Sequence, residues 1–187
     1  MNEGMDAALL DRLRAGDQES WEAVILEHQD RILGYLFHLE GSYDEALDLC
    51  QESFFRAWRG IDTFRVGEKL TPWLYTIARN TQIERHRRKS HPQFSMDEAH
   101  ETGFELVERR IGPQERAEQS EDSVRVHEAL LTLAEEYRTA VILRFMDDLP
   151  YEEIARVQGV ATGTAKSRVF RGKELLAKAL EGKVAAS

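Results

Sequence analysis

Two stretches of this chain concentrate cationic side chains at helical spacing. Residues 79–91 hold Arg79, Arg85, Arg87, Arg88 and Lys89 against a single acid, Glu84, a net of +4. Residues 164–178 hold Lys166, Arg168, Arg171, Lys173 and Lys178 against Glu174, again +4. Such groups neutralise phosphates, and arginine forks also pair with guanine edges. The whole chain is nonetheless acidic, with a net charge of −9 over 187 residues. The excess acid is placed between the basic stretches. Residues 97–122 carry nine carboxylates against Arg109, Arg110 and Arg116, a net of −6. Local charge, not the average, is what a phosphate backbone meets.

The elements that must position these groups are helical. Apolar residues recur at helical spacing, while proline and glycine fall at boundaries. The pattern predicts a short helix over residues 6–15, ended by Gly16. Asp17 caps a long second helix that stops at Gly41. Ser42 and Glu45 have capping-box spacing for a third helix over 43–59. A loop follows over 60–70. Thr71 as cap and Pro72 at the first position open a fourth helix, which runs to Lys89. From 90 to 120 the apolar spacing fails, and Pro92, Gly103, Gly112 and Pro113 intervene. That stretch reads as a flexible acidic linker. Helical pattern resumes at 121 and is broken near 133–135, 148–150 and 159–161. The expected fold is all-α, with small helical domains over 1–90 and 121–187 and a linker over 91–120.

Several chemistries find no support. There is no glycine-rich phosphate loop, H-E-x-x-H pair or nucleophile–base motif, so no catalytic residue is assigned and no enzyme is expected. The six histidines are scattered, and His86 and His91 do not share a helix face, so neither a metal nor a cofactor is expected. The lone cysteine, Cys50, reads as a small buried apolar residue. The acidic N-terminus lacks a signal-peptide core and no run reaches membrane-span length, so a cytoplasmic protein without membrane insertion is expected.

The best local signal lies at residues 150–176. Pro150 starts a short helix with Ile154 and Ala155 inward. Gly159 permits a tight turn, and a second helix begins near Thr162. At ~100° per residue, Ala165, Val169, Gly172 and Leu176 share a ~60° arc. Ser167, Phe170 and Arg171 project from the opposite side, with Lys166 at one edge and Thr164 and Arg168 at the other. A helix packed on one side and donor-bearing on the other, behind a glycine turn, suits the recognition helix of a helix-turn-helix.

The third helix places Ala46, Leu47, Cys50, Phe54, Ala57 and Trp58 on one arc, read as core. Asp48, Glu52, Phe55 and Arg59 lie opposite, with Gln51 nearby. An aromatic among acids suggests a protein-docking patch. The fourth helix packs Trp73, Leu74, Ile77, Ala78 and Thr81. Its other side holds Tyr75, Arg79, Gln82 and His86, with Asn80 at the edge. Basic groups interleaved with an aromatic and amides suit opened, single-stranded DNA. The adjoining loop, residues 64–69, supplies one wall of a base pocket through Phe64, Arg65 and Lys69.

With these residues assembled, the sequence resembles the extracytoplasmic-function (group IV) bacterial sigma factors. Residues 44–58, DEALDLCQESFFRAW, resemble the family's polymerase-binding region. Residues 73–88, WLYTIARNTQIERHRR, resemble its promoter-melting region. Residues 151–171, YEEIARVQGVATGTAKSRVFR, resemble its upstream-element reader. The resemblance implies that Asp48, Gln51 and Glu52 dock on the clamp helices of the polymerase's largest subunit. It implies that Asn80 and the 64–69 loop read a flipped base of the non-template strand. It assigns Lys166, Ser167, Arg168, Phe170 and Arg171 to the upstream duplex. The linker would run near the RNA exit path, and an anti-sigma factor that masks both domains would be a partner. Lys166 stands where many members carry arginine, Ala161 and Thr162 replace a proline-containing turn, and Ala165 replaces a larger apolar residue. The rival expectation is a stand-alone helix-turn-helix regulator with a helical dimerisation or sensing domain. Such a protein needs neither the Asp48/Gln51/Glu52 patch nor the basic end of the fourth helix.

Overall fold

The computed structural model describes residues 5–90 and 121–184. The expected acidic linker falls almost wholly outside them. The described residues form eight α-helices and one 3₁₀ turn, with no strand. They make two compact units, one from residues 5–36 with 47–90, the other from residues 37–46 with those from 121 onward. No helix among them is long and apolar enough to cross a membrane.

The first unit begins with α1, Ala7–Arg14, capped by the Asp6 carboxylate, which accepts from the Leu9 N–H at 2.7 Å. Gly16, at φ 75°, turns the chain out of the helix, as only glycine does without strain. Asp17 then caps α2, Gln18–Glu40, by accepting from the Ser20 N–H at 3.0 Å. The Ser20 side-chain hydrogen bond holds its carboxyl below the usual carboxylate range. Trp21 of α2 is buried and donates its indole N–H to the Leu13 carbonyl at 2.9 Å, which fastens α1 to α2.

α3, Tyr43–Gly60, buries Leu49, Cys50, Ser53, Phe54 and Ala57. Its buried face is rotated from the expected one. Leu49 joins the core, Leu47 is only half-buried, and Trp58 is 39% exposed. The Glu45 N–H makes the capping-box contact to Ser42 Oγ, at a long 3.5 Å. After the 3₁₀ turn Ile61–Thr63, α4 spans Leu70–Ser90. It starts two residues earlier than expected, so Thr71 lies inside the first turn, buried, rather than capping it. Pro72 still costs no hydrogen bond there, because first-turn N–H groups have no intrahelical acceptor.

Cys50 is fully buried in this core, its thiol pushed up to about 12, first by burial and then by the nearby Asp30 charge. A thiol so protonated is a poor nucleophile. The native protein is therefore expected to be inert to an aromatic disulfide reagent at pH 8 and to release one equivalent of chromophore on denaturation. Rapid reaction of the folded chain would contradict this.

The second unit holds α5, Glu121–Leu131; α6, Glu135–Phe145; α7, Tyr151–Gln158; and α8, Thr162–Val184. Arg144 braces the α6–α7 turn. It donates to the Leu149 carbonyl at 3.0 Å and to Asp148 at 3.2 Å, with its guanidinium over the Tyr151 ring. Gly159, at φ 64°, ends α7 in the left-handed conformation, and the Val160 N–H closes the turn on the Ala155 carbonyl at 3.0 Å. α8 packs Ala165, Val169 and Gly172 inward. Gly172 is required by closeness, since a Cβ there would sit 2.5 Å from Val141 Cγ2 and 3.0 Å from the Tyr137 carbonyl oxygen.

Candidate nucleic-acid interface

In the second unit, α7, the glycine turn and α8 form the expected helix-turn-helix. Because Ala165, Val169 and Gly172 face inward, the opposite residues must face out. Thr164, Lys166 and Ser167 are exposed, Phe170 is 54% exposed, and Arg171 is exposed with a 3.0 Å ion pair to Glu174. A bare phenylalanine between cations is apolar surface available to a thymine methyl. Arg168 differs from its neighbours. Only 22% of its side chain is exposed, and it donates to Gln158 Oε1 at 3.3 Å and lies 3.9 Å from Glu136. Gln158 in turn donates to the Glu136 carbonyl at 2.7 Å. Arg168 therefore ties α8 to α7 and α6, a bracing role that its place at the edge of the arc did not reveal.

In the first unit, the basic end of α4 is exposed from His86 onward, with Arg87, Arg88 and Lys89 all reaching solvent. Asn80 is exposed and Arg79 half-buried. Two aromatic assignments are corrected. Tyr75 is completely buried, its ring edge-on to Tyr35 at 5.1 Å, so it offers no face to a base. Phe64 is completely buried too, edge-on to Trp73 at 5.1 Å. Gln82 is likewise buried. For Tyr75 the reason is that Tyr35 of α2 packs on the side of α4 where a single-face reading of the helix expected solvent.

The loop after Phe64 does reach solvent through Arg65, Val66, Gly67 and Glu68, with Lys69 half-buried. Its shape is set by distant partners that sequence reasoning missed. The Met5 N–H donates to the Glu68 carbonyl at 2.9 Å, and the Gly67 N–H donates to the Met5 carbonyl at 3.2 Å. Arg14 of α1 donates to the Phe64 carbonyl at 2.9 Å. Gly67 sits at φ 82°, which makes the turn possible. Phe64 is thus the root of the loop, and Arg65 to Lys69 its presented surface.

On α3, Asp48 is exposed, and Gln51, Glu52 and Phe55 are half-buried. Arg59 lies over the Phe55 ring at 5.8 Å. The acids of this face are not isolated. Asp48 pairs with Arg85 at 3.1 Å, and Glu52 pairs with Arg56 at 2.6 Å. Arg56 also reaches Glu84 at 2.5 Å, and Glu84 accepts from Arg88 at 2.8 Å. Burial opposes the Arg56 charge, but hydrogen bonds to Glu84 and Glu52 more than offset it and raise its pKa. The Arg56 hydrogen bond holds the Glu84 carboxyl below its ordinary 4.5. The stability that Glu84 contributes is therefore complete above about pH 4.5 and lost as pH falls through its lowered value.

Comparison with known proteins agrees with this division. Residues 24–91 match the family model Sigma-70 region 2, and residues 123–176 match Sigma-70, region 4. The chain is 32% identical over 176 residues to the ECF RNA polymerase sigma factor SigW of Bacillus subtilis, covering 90% of this chain and 93% of that protein. It is 33% identical over 178 residues to the ECF RNA polymerase sigma-E factor of Escherichia coli K12, covering 91% and 92%. Among solved structures, it is similar to the sigma factor RpoE of Bartonella quintana in complex with the anti-sigma factor NepR. The TM-score there is 0.69, the identity 28%, and the coverage 87% of this chain and 98% of that one. A looser likeness to CnrH, at 19% identity and TM-score 0.66, extends the shared fold. With both helical units matched in order and identity above 30% along nearly the whole chain, this protein belongs to the ECF RNA polymerase sigma factors of the sigma-70 family.

Proposed function

We propose that this sigma factor engages its partners through three separate surfaces, bounded by domains at residues 1–90 and 121–187. The family directs RNA polymerase to promoters and is not an enzyme family, and membership favours that role over a stand-alone regulator. In this reading Asp48, Gln51, Glu52 and Phe55 on α3 dock on the clamp helices of the polymerase's largest subunit. Arg65 and Lys69 of the loop, with Arg79, Asn80, Arg85, Arg87 and Arg88 of α4, hold the non-template strand of the opened promoter. Thr164, Lys166, Ser167, Phe170 and Arg171 of α8 read the upstream duplex, while Arg168 braces the helix that carries them. The observation that supports this most is the sidedness of α8, apolar and glycine-tight within, cationic and hydroxyl-bearing without.

No covalent chemistry is involved. Phosphate contacts supply salt-dependent affinity and base contacts supply selectivity. Two weak DNA sites become selective when polymerase fixes their spacing, because linkage raises effective concentration. The net charge of −9 discourages the free protein from binding DNA indiscriminately. The cytoplasm, where polymerase and chromosome lie, is its place of action. An anti-sigma partner is part of the same reading, since the similar RpoE was solved with the anti-sigma factor NepR.

The docking face is tested by charge reversal. Glu52→Lys is expected to lower co-purification with core RNA polymerase by about tenfold or more, as like charges meet across an interface. Undiminished co-purification of the variant would remove Glu52 from the docking face.

A further inference from the structure

The docking carboxylates of α3 and the cations of α4 are not independent surfaces. A ladder of two rungs joins the two helices, Asp48–Arg85 and Arg56–Glu84, and the second rung is extended by Glu52 on α3 and Arg88 on α4. Its parts differ in access. The Arg56–Glu84 rung is largely shielded, with about a third of each side chain exposed. The Asp48–Arg85 rung is open on its carboxylate side, with 64% of the Asp48 side chain exposed, while Arg85, at 33%, is as covered as Arg56. A partner can therefore reach the Asp48 carboxylate without unfolding anything, and a third of Arg85 stays accessible beside it.

We infer that Asp48 and Arg85 neutralise one another in the free protein, so that docking on polymerase and capture of the promoter strand each release a group the other needs. The inference rests on the proposed docking and strand-binding roles of these two residues. While Asp48 holds Arg85, a carboxylate stands about 3 Å from the guanidinium that a phosphate would approach. When a cationic partner surface engages Asp48, Arg85 loses its counter-charge and gains attraction for phosphate. By linkage the converse holds, and strand capture by Arg85 leaves Asp48 a free anion for the polymerase. Exposed ion pairs are weak, so the coupling is modest, about two- to fivefold in affinity at low salt, and screening reduces it. The shielded Arg56–Glu84 rung keeps α3 and α4 in register, so the open rung can exchange partners while the scaffold stays in place.

The test uses the full chain and core RNA polymerase without DNA. Removing a supposed DNA contact should tighten association with polymerase. Arg85→Gln is expected to bind core polymerase about two- to fivefold more tightly than the wild type at low salt, while Arg85→Lys, which keeps the charge, stays near the wild type. Asp48→Asn is expected to weaken association by itself, and in that background Arg85→Gln should add nothing. If Arg85→Gln leaves association unchanged or weakens it while Asp48→Asn still weakens it, the coupling is overturned and the docking role of Asp48 stands. If Arg85→Gln tightens association equally in both backgrounds, the effect is general charge and the pairing is overturned. If Asp48→Asn has no effect, the docking assignment falls, and the inference falls with it.

Discussion

Phe64→Ala is expected to destabilise the first unit by about 3–5 kcal/mol, the usual cost of emptying a fully buried phenylalanine site. The ring has no exposed surface and meets Trp73 edge-on, so its deletion leaves a cavity at the root of the loop. Domains of this size are stable by only about 5–15 kcal/mol, so the loss takes a large share. Denaturant unfolding of the full chain should show the midpoint of the first unit fall, and Phe64→Leu, which refills most of the volume, should recover much of it. A variant of undiminished stability with a selective defect in promoter opening would return Phe64 to the DNA-contacting surface.

Arg171→Ala is expected to weaken recognition of the upstream promoter element by about 1–3 kcal/mol, roughly the value of one good base contact. Arg171 is exposed on the outer side of α8 and paired with Glu174 one turn on, a pair that water and a nucleobase edge can readily replace. Association with core polymerase should be unchanged, because the proposed docking residues lie on α3. Competition binding of the holoenzyme to matched and scrambled upstream sequences measures the difference. Equal losses on both would make Arg171 a phosphate contact only.

Most helix ends, though not the start of α4, and the buried stripe of α8 were legible in the sequence because local features set them. Gly16, Gly41 and Gly159 end helices by adopting positive φ, and Asp6 and Asp17 begin them by capping. α8 read correctly because Ala165, Val169 and Gly172 make one compact stripe. α4 did not. Its polar arc included Tyr75 and Gln82, yet α4 is flanked by Tyr35 of α2 and by Arg56 and Asp48 of α3. Periodicity identifies one buried face, and a helix packed on two sides has no single apolar stripe to show. Trp58 erred in the opposite sense, since a bulky aromatic at the edge of an apolar arc reads as core but projects from it.

The loop and the ladder were invisible for a different reason. Arg14 reaches the Phe64 carbonyl across 50 residues, and Arg85 reaches Asp48 across 37. No spacing rule connects such positions. Charge counting correctly found a cationic end to α4 but not that Arg85 and Arg88 are already engaged by carboxylates. Free surface charge is thus smaller than the sequence tally, which bears directly on how strongly the protein alone would bind DNA.

The most direct test of the account is run-off transcription with purified core polymerase on genomic fragments, with and without the full chain. The account predicts transcripts that begin at defined sites core polymerase alone does not use, reduced by Glu52→Lys and dependent on the upstream element through Arg171. Start sites unchanged by the chain, together with tight binding to DNA in the absence of polymerase, would contradict it.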